Sequence, residues 1–251
     1  MSPNLYQHIE FYEYEIPPYR RFLLAPVGSW NYNCADEHSD TDVKAVFLPS
    51  IEDVIYNKCE SKTHLFPNEE HLDFSDIRNF MKSLQKGNPQ FIEVLFSPWI
   101  YPNDEFYGEE IHTLLKMRED IARCNPQNTM RAMLGMADRN YQLCKVRTEE
   151  AHANKWLYQL TRIEEQMRKF MVHYSFEDCL KTSKRDVLLE VKNSHWEQEK
   201  IISVATSVIN KCTTHYEAYK NFFDAEEDKY IQRMIEEIVK QVCRKSIERV
   251  D

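Results

Sequence analysis

Glycine is scarce in this sequence, in which only four of 251 residues are glycine, whereas average usage is about 7%. Each glycine is therefore informative. Gly28 stands out because it follows the apolar run 22–27 and immediately precedes Ser29. Glycine permits a tight turn and the close approach of a phosphate group, and a serine hydroxyl can donate a hydrogen bond to that group. Gly28-Ser29 alone is a weak signal, and its interpretation depends on the acidic residues that follow.

Closely spaced cysteines are also lacking. The seven cysteines are odd in number and scattered along the chain. Disulfide frameworks and zinc clusters contain closely spaced cysteine pairs, so the sequence argues against both. We expect reduced thiols, as in a cytoplasmic protein.

Long hydrophobic runs and an excess of positive charge are absent as well. No stretch approaches the ~18 apolar residues of a membrane span, and residues 1–10 have neither the basic nor the apolar segment of a secretory signal. We therefore expect no membrane partner. The net charge of −9 disfavours sequence-independent binding to a nucleic-acid backbone, because such proteins present a basic surface. A local basic patch remains compatible with this charge.

The pattern of apolar residues changes at about residue 104. Before it, the sequence predicts strands at 21–27, 43–48 and 91–96, helices at 50–55 and 74–86, and a loop at 57–70. After it, helical periodicity predicts helices at 108–123, 127–145, 149–172, 184–191, 194–223 and 225–248. The sequence therefore predicts an α+β fold, with a small mixed sheet in the first part of the chain and an all-helical second part.

Two acidic residues stand at the start of the second predicted strand. Asp40 and Asp42 are two residues apart, so their side chains point to the same face of a strand. Neighbouring carboxylates repel one another unless a positive charge lies between them, and Mg²⁺ is bound by one or two carboxylates together with phosphate oxygens. The alternative is a solvated turn in which these residues only cap an element. His38 and Lys44 are near the pair in sequence, and we expect both to be structural or solvated.

A third acidic residue lies in an apolar run. Glu93 is surrounded by apolar residues in the predicted strand 91–96, and a buried carboxylate is costly unless it is paired or bound to a metal. The alternative is an edge strand that exposes Glu93 to water. If strand 91–96 lies beside strand 43–48, Glu93 completes a three-carboxylate cluster for two metal ions.

Together these residues resemble the DNA polymerase β-like nucleotidyltransferase superfamily, whose pattern is a Gly-Ser turn, an Asp-x-Asp pair and a later third carboxylate. The match is closer to a branch of predicted nucleotidyltransferases of bacteria and phages that includes RNA-ligase-associated members. That branch reads Gly-Ser-x-x-Tyr-Gly, then Ser-Asp-x-Asp-x-x-Gly-Val-Phe, then Lys-Gly-Asn-Pro-x-x-x-Glu-x-x-x-Ser-Pro. The chain carries, at matching spacings, Gly28, Ser29 and Tyr32; Ser39, Asp40, Asp42, Val46 and Phe47; and Lys86, Gly87, Asn88, Pro89, Glu93, Ser97 and Pro98.

The resemblance implies a catalytic domain at 1–103 and a helical domain at 104–251 that completes the nucleotide cleft. It extends more weakly into the helical part, where Lys155 and Arg162 match a Lys-x-x-x-His-x-x-Arg pattern in which Gln159 replaces the histidine. Seven residues are two helical turns, so both cations share a face and could bind the triphosphate. The alternative is a solvated helix face.

The resemblance also implies the reaction. Asp40, Asp42 and Glu93 would hold two Mg²⁺ or Mn²⁺ ions, and Gly28 and Ser29 would bind the nucleotide. An NTP would donate its NMP to an acceptor hydroxyl with release of pyrophosphate.

The chain departs from the branch pattern at Asn33 and Ala45, which stand where glycines are usual. Asparagine tolerates left-handed backbone angles better than most residues, and alanine adds one methyl group, so we expect activity to survive. The acceptor stays open between an RNA end, a protein side chain and a small molecule. A competing interpretation is a non-catalytic nucleotide-binding or interaction module of the same fold.

Overall fold

The computed structural model describes residues 2–36, 39–146, 150–172, 174–194, 196–222 and 226–248. Within these ranges the chain is an α+β structure with a mixed five-stranded sheet, as its pattern predicts. The strands are β1 (Arg21–Pro26), β2 (Val43–Phe47), β3 (Ser61–Leu65), β4 (His71–Asp76) and β5 (Tyr101–Pro102).

The helices of the described ranges are α1 (Tyr6–Glu15), α2 (Ile51–Ile55), α3 (Ile77–Gln85), α4 (Pro89–Ile92), α5 (Asp104–Lys116), α6 (Arg118–Arg123), α7 (Pro126–Lys145), α8 (Glu150–Met171), α9 (Phe176–Leu180), α10 (Arg185–Asn193), α11 (Gln198–Phe222) and α12 (Lys229–Ile247). Short 3₁₀ turns cover Pro18–Arg20, Gly28–Trp30 and Glu93–Phe96.

The sheet topology places the end of β1 and the starts of β2 and β4 side by side. The order is β3-β4-β2-β1-β5, with β2 antiparallel to β1 and parallel to β4. Pro26 at the end of β1 pairs with Val43 at the start of β2, and Val43 pairs with Leu72 near the start of β4. The segment that follows β1 and the segments that precede β2 and β4 therefore lie at the same end of the strands.

Helix α1 covers one face of the sheet and contributes a buried tyrosine to its core. The Tyr12 hydroxyl donates a hydrogen bond to the Val46 carbonyl (2.5 Å) and accepts one from the Phe22 amide (2.9 Å). Burial raises the pKa of Tyr12 far above its ordinary value, so the phenol stays protonated. The core cluster around it comprises Ile16, Leu24, Val43, Ala45, Phe47, Phe66, Leu72 and Phe74.

Several predicted elements are confirmed. Strands occur within 21–27 and 43–48, and α2 follows Ser50, whose hydroxyl accepts from the Asp53 amide in a capping box. The helix predicted at 74–86 begins only at Ile77, because Asp76 caps it by accepting from the Arg78 amide (2.8 Å). It ends before Gly87, whose φ is +68°.

The prediction of a loop at 57–70 is wrong, because β3 lies within this segment and pairs with β4. Strand β3 is an edge strand with a largely polar, exposed sequence. Its strand conformation comes from hydrogen bonding to β4 and not from a hydrophobic pattern, which is why the sequence does not predict it.

The strand predicted at 91–96 is also wrong, since α4 and the turn Glu93–Phe96 occupy this segment. The Asn88 side chain accepts from the Gln90 amide (3.1 Å), and Pro89 takes the first helical position. Asparagine at the cap followed by proline is a helix start. A short apolar run does not distinguish a strand from a buried helix.

The chain divides into two compact units that are not continuous in sequence. The sheet unit contains the described residues of 1–31, 35–124 and 227–251, and the helical unit those of 32–34 and 125–226. Helices α5, α6 and α12 thus group with the sheet, so the boundary predicted at 103/104 does not coincide with the division between these units.

In the helical unit, α8 packs against α7, α10 and α11. The single helix predicted at 108–123 is two helices, α5 and α6, which are separated at Met117. The other helices predicted in the second part of the chain are present with shifted ends, whereas α9 has no counterpart in the prediction. The predicted ends at 149, 223 and 225 lie outside the described residues. No helix in the described ranges is long and apolar enough to span a membrane.

Candidate active site

The turn after β1 lies directly beside the acidic segment before β2. The Val27 amide donates to the Asp42 carbonyl (2.9 Å) and so extends the antiparallel ladder by one step. Gly28 follows with φ +74°, a left-handed backbone conformation that favours glycine. A β-carbon on Gly28 would lie 3.9 Å from Asp42 Oδ2. The ladder therefore places the Asp42 carboxylate against the glycine turn.

Glu93 reaches the same glycine. Its Oε2 accepts a hydrogen bond from the Gly28 amide (3.3 Å), and its carbonyl accepts one from Asn31 Nδ2 (3.3 Å). Glu93 is only 4% exposed, so the predicted alternative of an edge strand facing water does not apply. Although Glu93 lies in a 3₁₀ turn, its carboxylate and that of Asp42 both approach Gly28.

Asp40 and Asp42 share one face of the segment. Both are exposed, whereas Thr41 and Val43, which alternate with them, are buried, as an extended chain requires. The Trp30 indole N–H donates to the Asp40 carbonyl (3.3 Å). The segment is therefore tied to the glycine turn by the backbone on both sides of Thr41.

Most of the sequence matches a known family. The model of the RlaP family, described as the RNA repair pathway DNA polymerase beta family, matches residues 16–237. The chain belongs to this family. The resemblance to polymerase β-like nucleotidyltransferases that the motifs predict is thereby confirmed. No curated protein matches the chain.

Divalent metal ions are usual in this family, and the donor atoms of the site suit them. Asp40, Asp42 and Glu93 offer only carboxylate oxygens, the ligands that Mg²⁺ prefers, and two of the three approach Gly28. Within the described part of the chain, no three His, Cys, Asp or Glu side chains already form a metal-binding group. The three-carboxylate cluster thus stays a prediction.

Ser29 and Lys44 differ in their surroundings. Ser29 is half-buried, and its hydroxyl has no hydrogen-bond partner among the described residues, so it is available to a ligand. Lys44 Nζ pairs with Asp73 Oδ2 (3.2 Å) and lies 5.1 Å from the centroid of the Phe91 ring. The structural role expected for Lys44 agrees with these contacts, whereas His38 lies outside the described residues.

The two cations of α8 also have different environments. Lys155 is exposed, whereas Arg162 is 4% exposed. The Arg162 guanidinium lies 3.7 Å from the centroid of the Tyr32 ring and donates to Gln159 Oε1 and Gln166 Oε1 (both 3.2 Å). Arg162 is thus engaged within the helical unit, and the role of both cations in nucleotide binding stays a prediction.

The two departures from the family pattern are accommodated by the backbone. Asn33 adopts φ +58°, the left-handed conformation that glycine would take and that asparagine tolerates. Ala45 is fully buried and pairs with Leu24 and Phe74 across the sheet. Its methyl group is therefore part of the core.

Sequence reasoning missed two residues that support the site. Asn31 holds the carbonyl of Glu93, and Glu70 accepts a hydrogen bond from the Thr41 amide. Asn31 could have been found from its position three residues after Gly28. Glu70 gives no such signal, because its segment reads as a loop until β4 is known to pair with β2.

Proposed function

We propose that the protein is a metal-dependent nucleotidyltransferase that transfers NMP from an NTP to an acceptor hydroxyl and releases pyrophosphate. The observation that carries the proposal is the approach of two carboxylates, Asp42 and Glu93, to Gly28 at the end of β1. Membership of a polymerase β family supports the same chemistry.

The three acidic residues would hold the divalent ions. Mg²⁺ or Mn²⁺ bound by Asp40, Asp42 and Glu93 would lower the pKa of the acceptor hydroxyl and neutralise charge on the phosphates. The approach of Asp42 and Glu93, which come from two separate segments, to Gly28 supports this assignment.

Gly28 and Ser29 would bind the donor nucleotide. The absence of a side chain on Gly28 leaves the backbone open to a phosphate, and the Ser29 hydroxyl would donate a hydrogen bond to it. The exposed ammonium of Lys155 is available for the electrostatic role that the resemblance implies, whereas the stacking of Arg162 on Tyr32 favours an indirect one.

An RNA end is the acceptor that we favour. The family is described by an RNA repair pathway, and an RNA end supplies the hydroxyl that the reaction needs. The net charge of −9 requires that such an acceptor be bound by a local feature and not by the overall charge. A protein side chain and a small molecule are the other outcomes of the experiment below.

The test is label transfer from each α-³²P-NTP to RNA with a free 3′-hydroxyl, to the same RNA with a 3′-phosphate, to protein, and to a metabolite extract. Pyrophosphate release is measured in parallel. Asp42→Ala should abolish transfer, whereas Asp138→Ala, which removes an exposed aspartate of α7, should not. Labelled RNA that requires the 3′-hydroxyl supports the proposal, and no transfer to any acceptor overturns it.

A non-catalytic nucleotide-binding module is the second candidate. Two observations favour it. No three His, Cys, Asp or Glu side chains among the described residues form a metal-binding group, and the Glu93 carboxylate already accepts a hydrogen bond from the Gly28 amide. Thermal stabilisation by NTP and Mg²⁺ without any label transfer or pyrophosphate release would identify this function.

A further inference from the structure

Glu70 lies beside the acidic segment because of the parallel pairing of β2 and β4. Val43 pairs with Leu72, so continuing this register two residues back brings Thr41 opposite Glu70. The structure shows the resulting contact: the Thr41 amide donates to Glu70 Oε1 (3.3 Å). Glu70 thus holds the peptide unit that joins Asp40 to Thr41.

Holding this peptide unit controls the direction of two carboxylates. Thr41 is 3% exposed, and its neighbours Asp40 and Asp42 are exposed. In an extended segment the side chains on either side of a residue point away from that residue's own side chain. A rotation of the Thr41 backbone would therefore turn both carboxylates together.

Glu70 is itself held in place from α1. Gln7 Nε2 donates to Glu70 Oε2, and His8 Nε2 lies 3.6 Å from the same oxygen. His8 is fully buried, and burial lowers its pKa against the opposing effect of the Glu70 carboxylate. Since one Glu70 oxygen faces α1 and the other faces Thr41, the side chain has little freedom to turn.

We propose that Glu70 is a positioning residue of the nucleotidyl-transfer site, fixing Asp40 and Asp42 through the Thr41 amide. It contacts backbone and neighbouring side chains, not substrate, and acts through the residues that it orients. The proposal rests on the proposed function for its effect on metal binding, but not for the contact with Thr41. Loss of a partner that orients metal ligands lowers metal affinity by about 10- to 100-fold in other proteins.

Two substitutions separate the reach of Glu70 from its charge. Glu70→Gln keeps the reach and an accepting oxygen but removes the charge, whereas Glu70→Asp keeps the charge but shortens the side chain by one methylene. If Glu70 positions Thr41, Glu70→Asp should be the more damaging of the two. Asp53→Ala is the matched control, because Asp53 also accepts from a backbone amide, that of Ser50 (2.8 Å), at α2.

Two readouts without turnover are measured on the full chain. The first is hydrogen exchange of the Thr41 amide by NMR, which we expect to accelerate about 10-fold or more in Glu70→Asp, because a hydrogen bond to a charged group is lost. The second is Mn²⁺ binding by calorimetry, which should weaken about 10- to 100-fold in Glu70→Asp and less in Glu70→Gln. Asp53→Ala should change neither.

The outcomes are distinct. Unchanged Thr41 exchange in Glu70→Asp, or weaker Mn²⁺ binding in Glu70→Gln than in Glu70→Asp, overturns the proposal. If Glu70→Asp does not fold, Thr41 exchange in Glu70→Gln decides, since a neutral acceptor should also accelerate it, by a smaller factor. If the unsubstituted protein binds no Mn²⁺, the proposed metal-dependent function fails, and Thr41 exchange still decides whether Glu70 holds the segment.

Discussion

The Glu93 carboxylate accepts a hydrogen bond from the Gly28 amide at 3.3 Å, although 65 residues separate the two in sequence. Gly28 begins the 3₁₀ turn that follows β1, and Glu93 begins the 3₁₀ turn that follows α4. The contact links two motifs that the family pattern lists separately. It also places a buried carboxyl group next to the backbone that we propose binds the donor nucleotide.

Removing the charge of Glu93 should abolish activity while leaving the fold intact. Glu93→Gln keeps an oxygen that can accept from the Gly28 amide but loses the carboxylate that would bind metal. We expect NMP transfer to fall by at least about 100-fold, with cooperative thermal unfolding retained. The measurement is steady-state transfer with pyrophosphate release.

The control for Glu93→Gln is Glu110→Gln. Glu110 is another buried glutamate of the sheet unit, paired with Lys245 Nζ (2.5 Å) and remote in sequence from the site motifs. Its substitution should leave transfer unchanged per folded molecule. Equal transfer rates in the two variants would show that Glu93 has no part in the reaction.

Substitution by alanine should change the free energy of unfolding in opposite directions at two glycines. Gly28→Ala forces a β-carbon onto φ +74°, which costs about 1–2 kcal/mol, while its nearest neighbour at 3.9 Å produces no clash. Gly135 is helical, and a β-carbon there meets nothing within 4 Å, so Gly135→Ala should stabilise by about 1 kcal/mol. Urea unfolding of both variants measures the free energies. A loss of stability in Gly135→Ala would refute the expectation for Gly135. An unchanged free energy of unfolding in Gly28→Ala would refute the expectation for Gly28.

The two strands on either side of the glycine turn could be predicted from the sequence, whereas the contacts within the site could not. Strands 21–27 and 43–48 are readable from apolar runs, and two consecutive antiparallel strands bring Gly28 beside Asp42. The segment that carries Glu93 was predicted as a strand because it is a short apolar run, although Asn88-Pro89 before it is a helix start. The role of Glu70 depends on parallel pairing between β2 and β4, a tertiary interaction that no local pattern encodes.

Tyr12 should make a measurable contribution to the stability of the sheet unit. Tyr12→Phe leaves the Val46 carbonyl and the Phe22 amide without their partner in a buried place, which costs about 1–3 kcal/mol. Tyr14→Phe is the matched control, because Tyr14 lies two residues along α1 and is 83% exposed. Denaturant unfolding should show a lower midpoint for Tyr12→Phe than for Tyr14→Phe. Equal midpoints would show that the Tyr12 hydrogen bonds do not stabilise the sheet unit.

Glu165 should make the stability of the helical unit depend on pH. Burial alone would raise its pKa, but hydrogen bonds from Thr182 and Ser183 outweigh burial, and Lys169 contributes in the same direction, so that the pKa of Glu165 falls to about 2. The carboxylate accepts from Thr182 Oγ1 (2.5 Å) and Ser183 Oγ (2.7 Å), and Lys169 Nζ lies 3.2 Å away. A carboxyl whose pKa is lower in the folded state stabilises that state above its unfolded pKa of about 4.3.

This stabilisation should be fully present at pH 7 and should be lost as the pH falls from about 4.3 towards 2. The lowered pKa corresponds to about 3 kcal/mol at neutral pH. Glu165→Gln should therefore destabilise the protein at pH 7 by about that amount and by much less near pH 2, whereas Glu199→Gln, which alters an exposed residue of α11, should have little effect at either pH. Urea unfolding across this range measures the difference, and a gap between Glu165→Gln and the unsubstituted protein that stays constant with pH would show that the carboxylate charge is not what stabilises this contact.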